Sequence, residues 1–144
     1  MTKRNHAKSF RDLLVYQKAK IVSRSIFEIT KGFPREESYS LTDQIRRASR
    51  SVGAQIAEAW AKPRYEKHFI NKLTDADAEQ METQHWLSEA RDCHYLDATQ
   101  VEELTGELLQ IGRMLNSYDG KGPLILRPEP SCHPGRYRGV LIRY

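Results

Sequence analysis

Cysteine is scarce in this chain, with only Cys93 and Cys132 among 144 residues. Two thiols cannot build a disulfide scaffold, and a chain of this length can bury roughly two-thirds of its unfolded surface without covalent staples. Both are expected to be reduced. Long apolar runs are also missing: stretches such as Leu13-Leu14-Val15 fall far short of the roughly 20 residues a membrane helix needs. No charged-then-apolar leader opens the sequence, so the expectation is a soluble, cytoplasmic protein with no membrane partner. Glycine and proline are nearly absent from residues 1 to 119, which hold four Gly and two Pro, whereas the last 25 residues hold four of each. That division predicts a helical body over residues 9–119 and a non-helical basic tail over residues 120–144. No glycine-rich phosphate loop and no Gly-framed serine or cysteine is present, so an enzyme is the least supported function class and the expectation is a non-enzyme.

Acidic residues are few in the first half. Residues 1 to 72 carry 16 Lys/Arg against 7 Asp/Glu, while residues 73 to 119 carry 2 against 11, and the formal net charge of +4 is supplied by residues 120 to 144. Such segregation points to a surface that meets something. Two readings remain open: opposite faces attract between copies, or the charges pair across neighbouring helices of one bundle, where exposed pairs contribute little.

Hydrophobic periodicity predicts four helices. In the first, Val15, Ala19, Val22, Ile26, Ile29 and Phe33 form one stripe, and Lys31-Gly32-Phe33-Pro34 predicts its stop, with Gly32 in a left-handed conformation. The second begins near Ser40, with Asp43 three residues on as a capping partner, and runs to Lys62 before Pro63. Its core stripe is Leu41, Ile45, Ala48, Val52, Ile56 and Ala59; a third strip, Ser49, Gly53 and Ala57, is small, and Gly53 suggests the close approach of another backbone. The third stripe runs Phe69, Leu73, Ala76, Gln80, Thr83, Leu87, Ala90, with two polar residues in core positions. A break near His94 follows, because Asp97 with Gln100 forms a capping pair and Val101, Leu104, Leu108, Ile111, Leu115 and Tyr118 restart the pattern. The fold class expected is all-α, an up-down antiparallel four-helix bundle with an irregular Gly/Pro-rich C-terminal tail. Within that tail Leu124-Ile125-Leu126 and Val140-Leu141-Ile142 can pair as short strands or dock on the bundle.

Leu41-Thr42-Asp43-Gln44-Ile45-Arg46-Arg47-Ala48, followed by Gln55-Ile56-Ala57-Glu58-Ala59, resembles the signature of a bacterial family of four-helix-bundle proteins encoded in intervening sequences of large-subunit rRNA genes. Further matches are Phe10-Arg11-Asp12-Leu13 leading to Tyr16-Gln17-Lys18-Ala19, Phe33-Pro34 with Glu36-Glu37, Glu82-Thr83-Gln84, and Ile111-Gly112-Arg113-Met114-Leu115. The resemblance implies an up-down protomer assembled into a ring, typically a pentamer, without established catalysis. It also points to the accessory variability determinant proteins of retroelements, which bind nucleic acid and a reverse transcriptase. Gln55, Ala59 and Gln80 depart from the family's usual Asn, Gly and Glu, and the tail has no counterpart in the pattern.

Arg46, Arg47 and Arg50 project from the second helix around a single acid, Asp43, and Lys18, Lys20 and Arg24 can extend them if the first two helices present neighbouring faces. Guanidinium groups in that arrangement suit the phosphates of structured RNA or DNA, and Arg136, Arg138 and Arg143 in the tail suit any anionic partner. A solvated face or a subunit contact is the competing interpretation. Ser49, Gly53, Ala57 and Glu58 are the candidate subunit interface, although Glu58 is also placed to pair with Lys62 on its own helix. Glu82-Thr83-Gln84-His85 has the acid-to-histidine spacing of a di-iron bundle in one copy where two are needed, and the adjacent pairs Cys93-His94 and Cys132-His133 lack zinc-ligand spacing. No metal and no cofactor is expected.

Overall fold

The computed structural model describes residues 7–61, 66–117, 125–128 and 139–142. The described chain opens on a 3-10 turn, Phe10–Asp12, with a reciprocal capping box: the Ser9 side chain accepts from the Arg11 amide, while Asp12 Oδ2 accepts from the Ser9 amide at 3.1 Å. Arg11 lies over the Phe10 ring at 4.4 Å and Phe10 meets Tyr16 edge to face at 4.9 Å, which fixes where the first long helix starts. That helix, α1 (Leu14–Thr30), buries Val15, Ala19, Val22 and Ile26. Its end differs from the glycine stop expected above. Gly32 does not enter the left-handed region; the helix tightens instead, with the Lys31 amide bonding to Glu28 O, Gly32 to Ile29 O and Phe33 to Thr30 O. Phe33 folds back into the core and meets Tyr95 at 5.5 Å.

After a second 3-10 turn, Arg35–Glu37, α2 (Leu41–Ala61) buries all six residues of its predicted stripe. Its start is held by Glu37 and not by a Ser40/Asp43 box. The Glu37 carboxylate accepts from the Ser40 hydroxyl, from the Leu41 amide at 3.1 Å and from Tyr95 Oη at 3.1 Å, tying the helix to the far loop of the bundle. These bonds, that from Ser40 foremost, hold its carboxyl below the ordinary glutamate range.

In α3 (Glu66–Asp92) and α4 (Ala98–Leu115) the sequence-derived stripes again face inward, with Leu73 and Leu104 half-buried at the margin of the core. Between them His94 takes φ 62°, the left-handed conformation that turns the chain. The Asp97/Gln100 box then starts α4, with the Gln100 amide donating to Asp97 at 2.8 Å and Gln100 accepting from the Asp97 amide at 3.2 Å.

Each helix packs on its two sequence neighbours, and α1 closes the square against α4. The alternation in direction is legible in the contacts: Tyr16 lies beside Gly53 and Phe27 beside Arg46, Lys72 reaches back to Gln55, and Gln80 lies beside Gly112. The fold is an up-down antiparallel four-helix bundle. Beyond it, β1 (Ile125–Pro128) pairs antiparallel with β2 (Gly139–Ile142), Ile125 opposite Ile142, which is one of the two arrangements expected for the apolar segments of the tail. The register sets Ile125 and Leu126 opposite Ile142 and Leu141, aliphatic residues that favour strand pairing. Tyr118 lies outside the described residues.

The two polar core residues are accommodated in different ways. Thr83, fully buried, donates to Glu79 O at 2.8 Å on its own helix. Gln80 joins a ladder: Gln84 donates to Gln80 at 2.7 Å, Gln80 donates to Asp77 at 2.9 Å, and Asn116 at the end of α4 donates to Asp77 at 3.0 Å. The glycine that permits this approach is Gly112, where an added Cβ would stand 2.8 Å from Gln80 Nε2 and 3.1 Å from Asp77 Oδ1. At Gly53 the neighbour is the Tyr16 ring at 3.5 Å, a side chain and not the backbone expected there.

Candidate nucleic-acid and subunit interface

The cationic side chains of α1 and α2 divide into three environments. Arg46 and Arg50 come together around one ring, with the Arg46 guanidinium 4.7 Å and that of Arg50 5.4 Å from the centroid of Phe27, and Lys31 Nζ 4.9 Å from the same ring. Arg46 is further fixed by an Nε bond to Thr30 Oγ1 at 2.8 Å. Lys31 is paired with Glu28 at 3.0 Å, whereas neither Arg46 nor Arg50 has a carboxylate within ion-pair distance among the described residues.

From Arg50 the same face continues as a shallow groove of about 270 Å3 between α1 and α2. Lys20, Ser23 and Arg50 rim it; Tyr16 closes one end and Ala19, Gly53 and Ala57 line it. Lys20 is exposed, and Arg24, also exposed, follows one turn later on α1. The first two helices therefore do present neighbouring basic faces.

Two of the expected cations lie elsewhere. Lys18 is buried against α4, donating to Gln110 at 3.0 Å and lying 3.8 Å from Glu107, because its position borders the core stripe at Val15, Ala19 and Val22. It does not extend the arginine face. Arg47 points to the other side of α2, 3.7 Å from Asp43, where it lines a polar groove of about 350 Å3 with Gln44, Ser51, Glu79 and Glu82. In that groove burial raises the Glu79 carboxyl above its ordinary range; Ser51 opposes the shift, and Glu82 and Asp75 add to it. Arg136, Arg138 and Arg143 lie outside the described residues.

The candidate interface strip also divides. Ser49 is buried inside the protomer and donates to Arg46 O at 3.1 Å, so it is not available to a second copy. Gly53 and Ala57 line the groove. Glu58 pairs with Lys72 at 2.7 Å, an α2–α3 clamp that Gln55 completes at 3.2 Å, and that bond raises the ammonium's pKa. Lys62, the partner expected from helical spacing, lies outside the described residues. Glu82 accepts from Trp86 Nε1 at 3.0 Å, and His85 meets the Trp86 ring edge to face at 4.7 Å. Among the described residues no group of three or more His, Cys, Asp or Glu is placed to hold a metal ion. Cys93 is an exposed free thiol. No helix among the described residues is long and apolar enough to cross a membrane.

The family model described as 23S rRNA-intervening sequence protein matches residues 11–117, the extent of the bundle. The chain belongs to this family. It is similar to a crystal structure of a protein with unknown function from the S23 ribosomal protein family of Bacteroides thetaiotaomicron, with 30% identity, coverage of 72% of this chain and 93% of that chain, and a TM-score of 0.65. Nothing among curated proteins matches the sequence. Several of the motifs that suggested the 23S rRNA-intervening sequence protein family have structural work here: Phe10-Arg11-Asp12 is the opening cap, Glu37 holds α2, and Gly112 admits the Gln80 ladder. The departures are accommodated too, since Gln55 accepts from Lys72, Ala59 is buried in the core and Gln80 is the centre of the ladder.

Proposed function

We propose that this 23S rRNA-intervening sequence protein is a non-enzymatic, cytoplasmic binding module that assembles into a ring, a pentamer by family resemblance, and holds structured RNA or DNA electrostatically. The observation that carries the nucleic-acid reading is the Phe27 cluster: Arg46 and Arg50 are pre-positioned on one ring, without a carboxylate among the described residues, at the end of a groove rimmed by Lys20. Cations arrayed in this way suit the repeating phosphates of a nucleic-acid backbone, and their attraction requires no reading of bases. A reverse transcriptase or another protein is the kind of further partner that the family's retroelement relatives suggest.

Fluorescence anisotropy with labelled duplex RNA and DNA over a salt series tests this. Arg46→Glu with Arg50→Glu should abolish binding at the salt where the parent binds, and Arg46→Ala with Arg50→Ala should flatten the log-affinity against log-salt slope by about 1 to 2. Arg47→Ala, already paired with Asp43, should change little. Absence of binding by the parent chain at low salt refutes the reading. The small, apolar floor of the groove favours a protein-only scaffold as the alternative, and that scaffold predicts assembly without nucleic acid.

A further inference from the structure

One aromatic ring stands outside the fold. Tyr39 is 97% exposed, whereas every other phenylalanine, tyrosine and tryptophan among the described residues is buried or half-buried. Among those residues it takes no hydrogen bond and meets no other ring. Its mount is nonetheless fixed on both sides. Before it, the Ser38 amide and hydroxyl both donate to Arg35 O, at 3.1 and 2.7 Å; after it, the Ser40 amide donates to Glu37 O at 3.1 Å and the Leu41 amide to the Glu37 carboxylate. A ring held out in water on a fixed backbone has little conformational freedom left to lose when a flat partner stacks on it.

Its position points to the kind of partner. The turn that carries Tyr39 runs into α2 without a break, with the Gln44 amide donating to Ser40 O at 3.0 Å, and positions 39, 43, 46 and 50 follow at the spacing of one helical side. Tyr39 is therefore in line with Arg46 and Arg50, about 10 Å from Arg46 along the axis. Its own surroundings do not attract a phosphate: Glu36 and Asp43 accompany Arg35, and the Glu37 carboxylate is already bonded. A strand whose phosphates rest on the arginines carries flat, uncharged bases beside them, and an exposed tyrosine face suits one of these when it is unpaired. The Phe27 ring is already covered by Arg46, Arg50 and Lys31.

We propose that Tyr39 is a stacking platform for an unpaired base, so that the nucleic acid held at Arg46 and Arg50 is a duplex end or junction with a short single strand and not an uninterrupted duplex. The inference rests on the nucleic-acid part of the proposed function and narrows its ligand. Stacking accepts any base, so it adds affinity without sequence readout. The separation of about 10 Å corresponds to roughly three base steps of about 3.4 Å, which sets the length of single strand required.

Three DNA ligands built on one duplex separate base from phosphate: a blunt duplex, the same duplex with a three-nucleotide overhang, and that overhang with its bases removed. By fluorescence anisotropy the parent chain should bind the overhang about tenfold more tightly than the abasic overhang, which carries the same phosphates. Tyr39→Ala should erase that preference while leaving blunt-duplex affinity and its salt dependence unchanged, and circular dichroism verifies that the variant keeps the parent helix content. Tyr39→Phe should retain the preference, and Tyr39→Ile, apolar but without a ring, should lose it. A parent that binds all three ligands alike, or a preference that survives in Tyr39→Ala or Tyr39→Ile, overturns the stacking role and leaves the arginine reading standing. Absence of binding to every ligand at low salt refutes the arginine reading, and the stacking role with it.

Discussion

Helix α4 contains two glycines whose replacement by alanine should act in opposite directions. At Gly106 an added methyl meets nothing within 4 Å, so Gly106→Ala recovers the helical preference of alanine, about 1 kcal/mol of stabilisation. At Gly112 the same preference is opposed, since the methyl would stand 2.8 Å from Gln80 Nε2 and 3.1 Å from Asp77 Oδ1. A long glutamine usually swings away at little cost. Gln80 is only 2% exposed, however, and its amide is held at both ends, by Asp77 at 2.9 Å and Gln84 at 2.7 Å. Withdrawing it breaks a bond to a carboxylate, a loss of about 1.5 to 3 kcal/mol. Gly112→Ala is therefore expected to destabilise by about 0.5 to 2 kcal/mol net, and the two substitutions to differ by about 1.5 to 3 kcal/mol. Urea denaturation followed by far-ultraviolet circular dichroism, at one fixed chain concentration because assembly shifts apparent stability, measures both. A double-mutant cycle adds the cause: with Gln80→Ala in the background, Gly112→Ala should turn stabilising. Equal stabilisation by Gly106→Ala and Gly112→Ala in the parent chain would refute the claim that the buried ladder is held in place.

Glu37 makes an acid-sensitive fastening of α2 to the loop before α4. Its folded pKa is depressed, so its contribution is complete above the unfolded value of about 4.3 and is lost as pH falls through the folded value. Urea midpoints of the parent chain between pH 7 and about pH 3 should therefore fall more steeply than those of Glu37→Gln, and parallel profiles would exclude the role. Asp97→Ala removes the cap of α4 and should cost about 1 kcal/mol in the same denaturation assay, with Asp97→Asn recovering most of it. No change on Asp97→Ala would mean that the start of α4 is held by packing alone.

Much of the bundle was legible in the chain because helix formation and burial are set by local spacing. The stripe of α2 is buried at every predicted position, and the Asp97/Gln100 box forms as its four-residue pattern implies. Local rules failed where a residue had two competent partners or where the answer lay on another helix. Ser40 sits in a sound capping position, yet its hydroxyl donates to Glu37, three residues earlier, which itself takes the Leu41 amide. Gly32 needed no left-handed turn because a tightened last turn satisfied the same carbonyls.

The candidate site shows the same division. Charge segregation, the α2 arginines and the small strip containing Gly53 and Ala57 are properties of the sequence. A helical wheel assigns each side chain an angle but no neighbour, so Arg46, Arg47 and Arg50 read as one cluster until Phe27 and Asp43 separate them. Lys18 read as a surface cation until packing of α4 placed Gln110 over it, and Glu58 acquired Lys72 from a helix 14 residues further along the chain. The sequence by itself determined which residues turn inward, because burial follows a period of 3.6 that any single helix expresses. Only the tertiary structure decided which outward residues share a surface, because that depends on how four rods are rotated about their axes, and the packing of side chains from different helices sets those rotations.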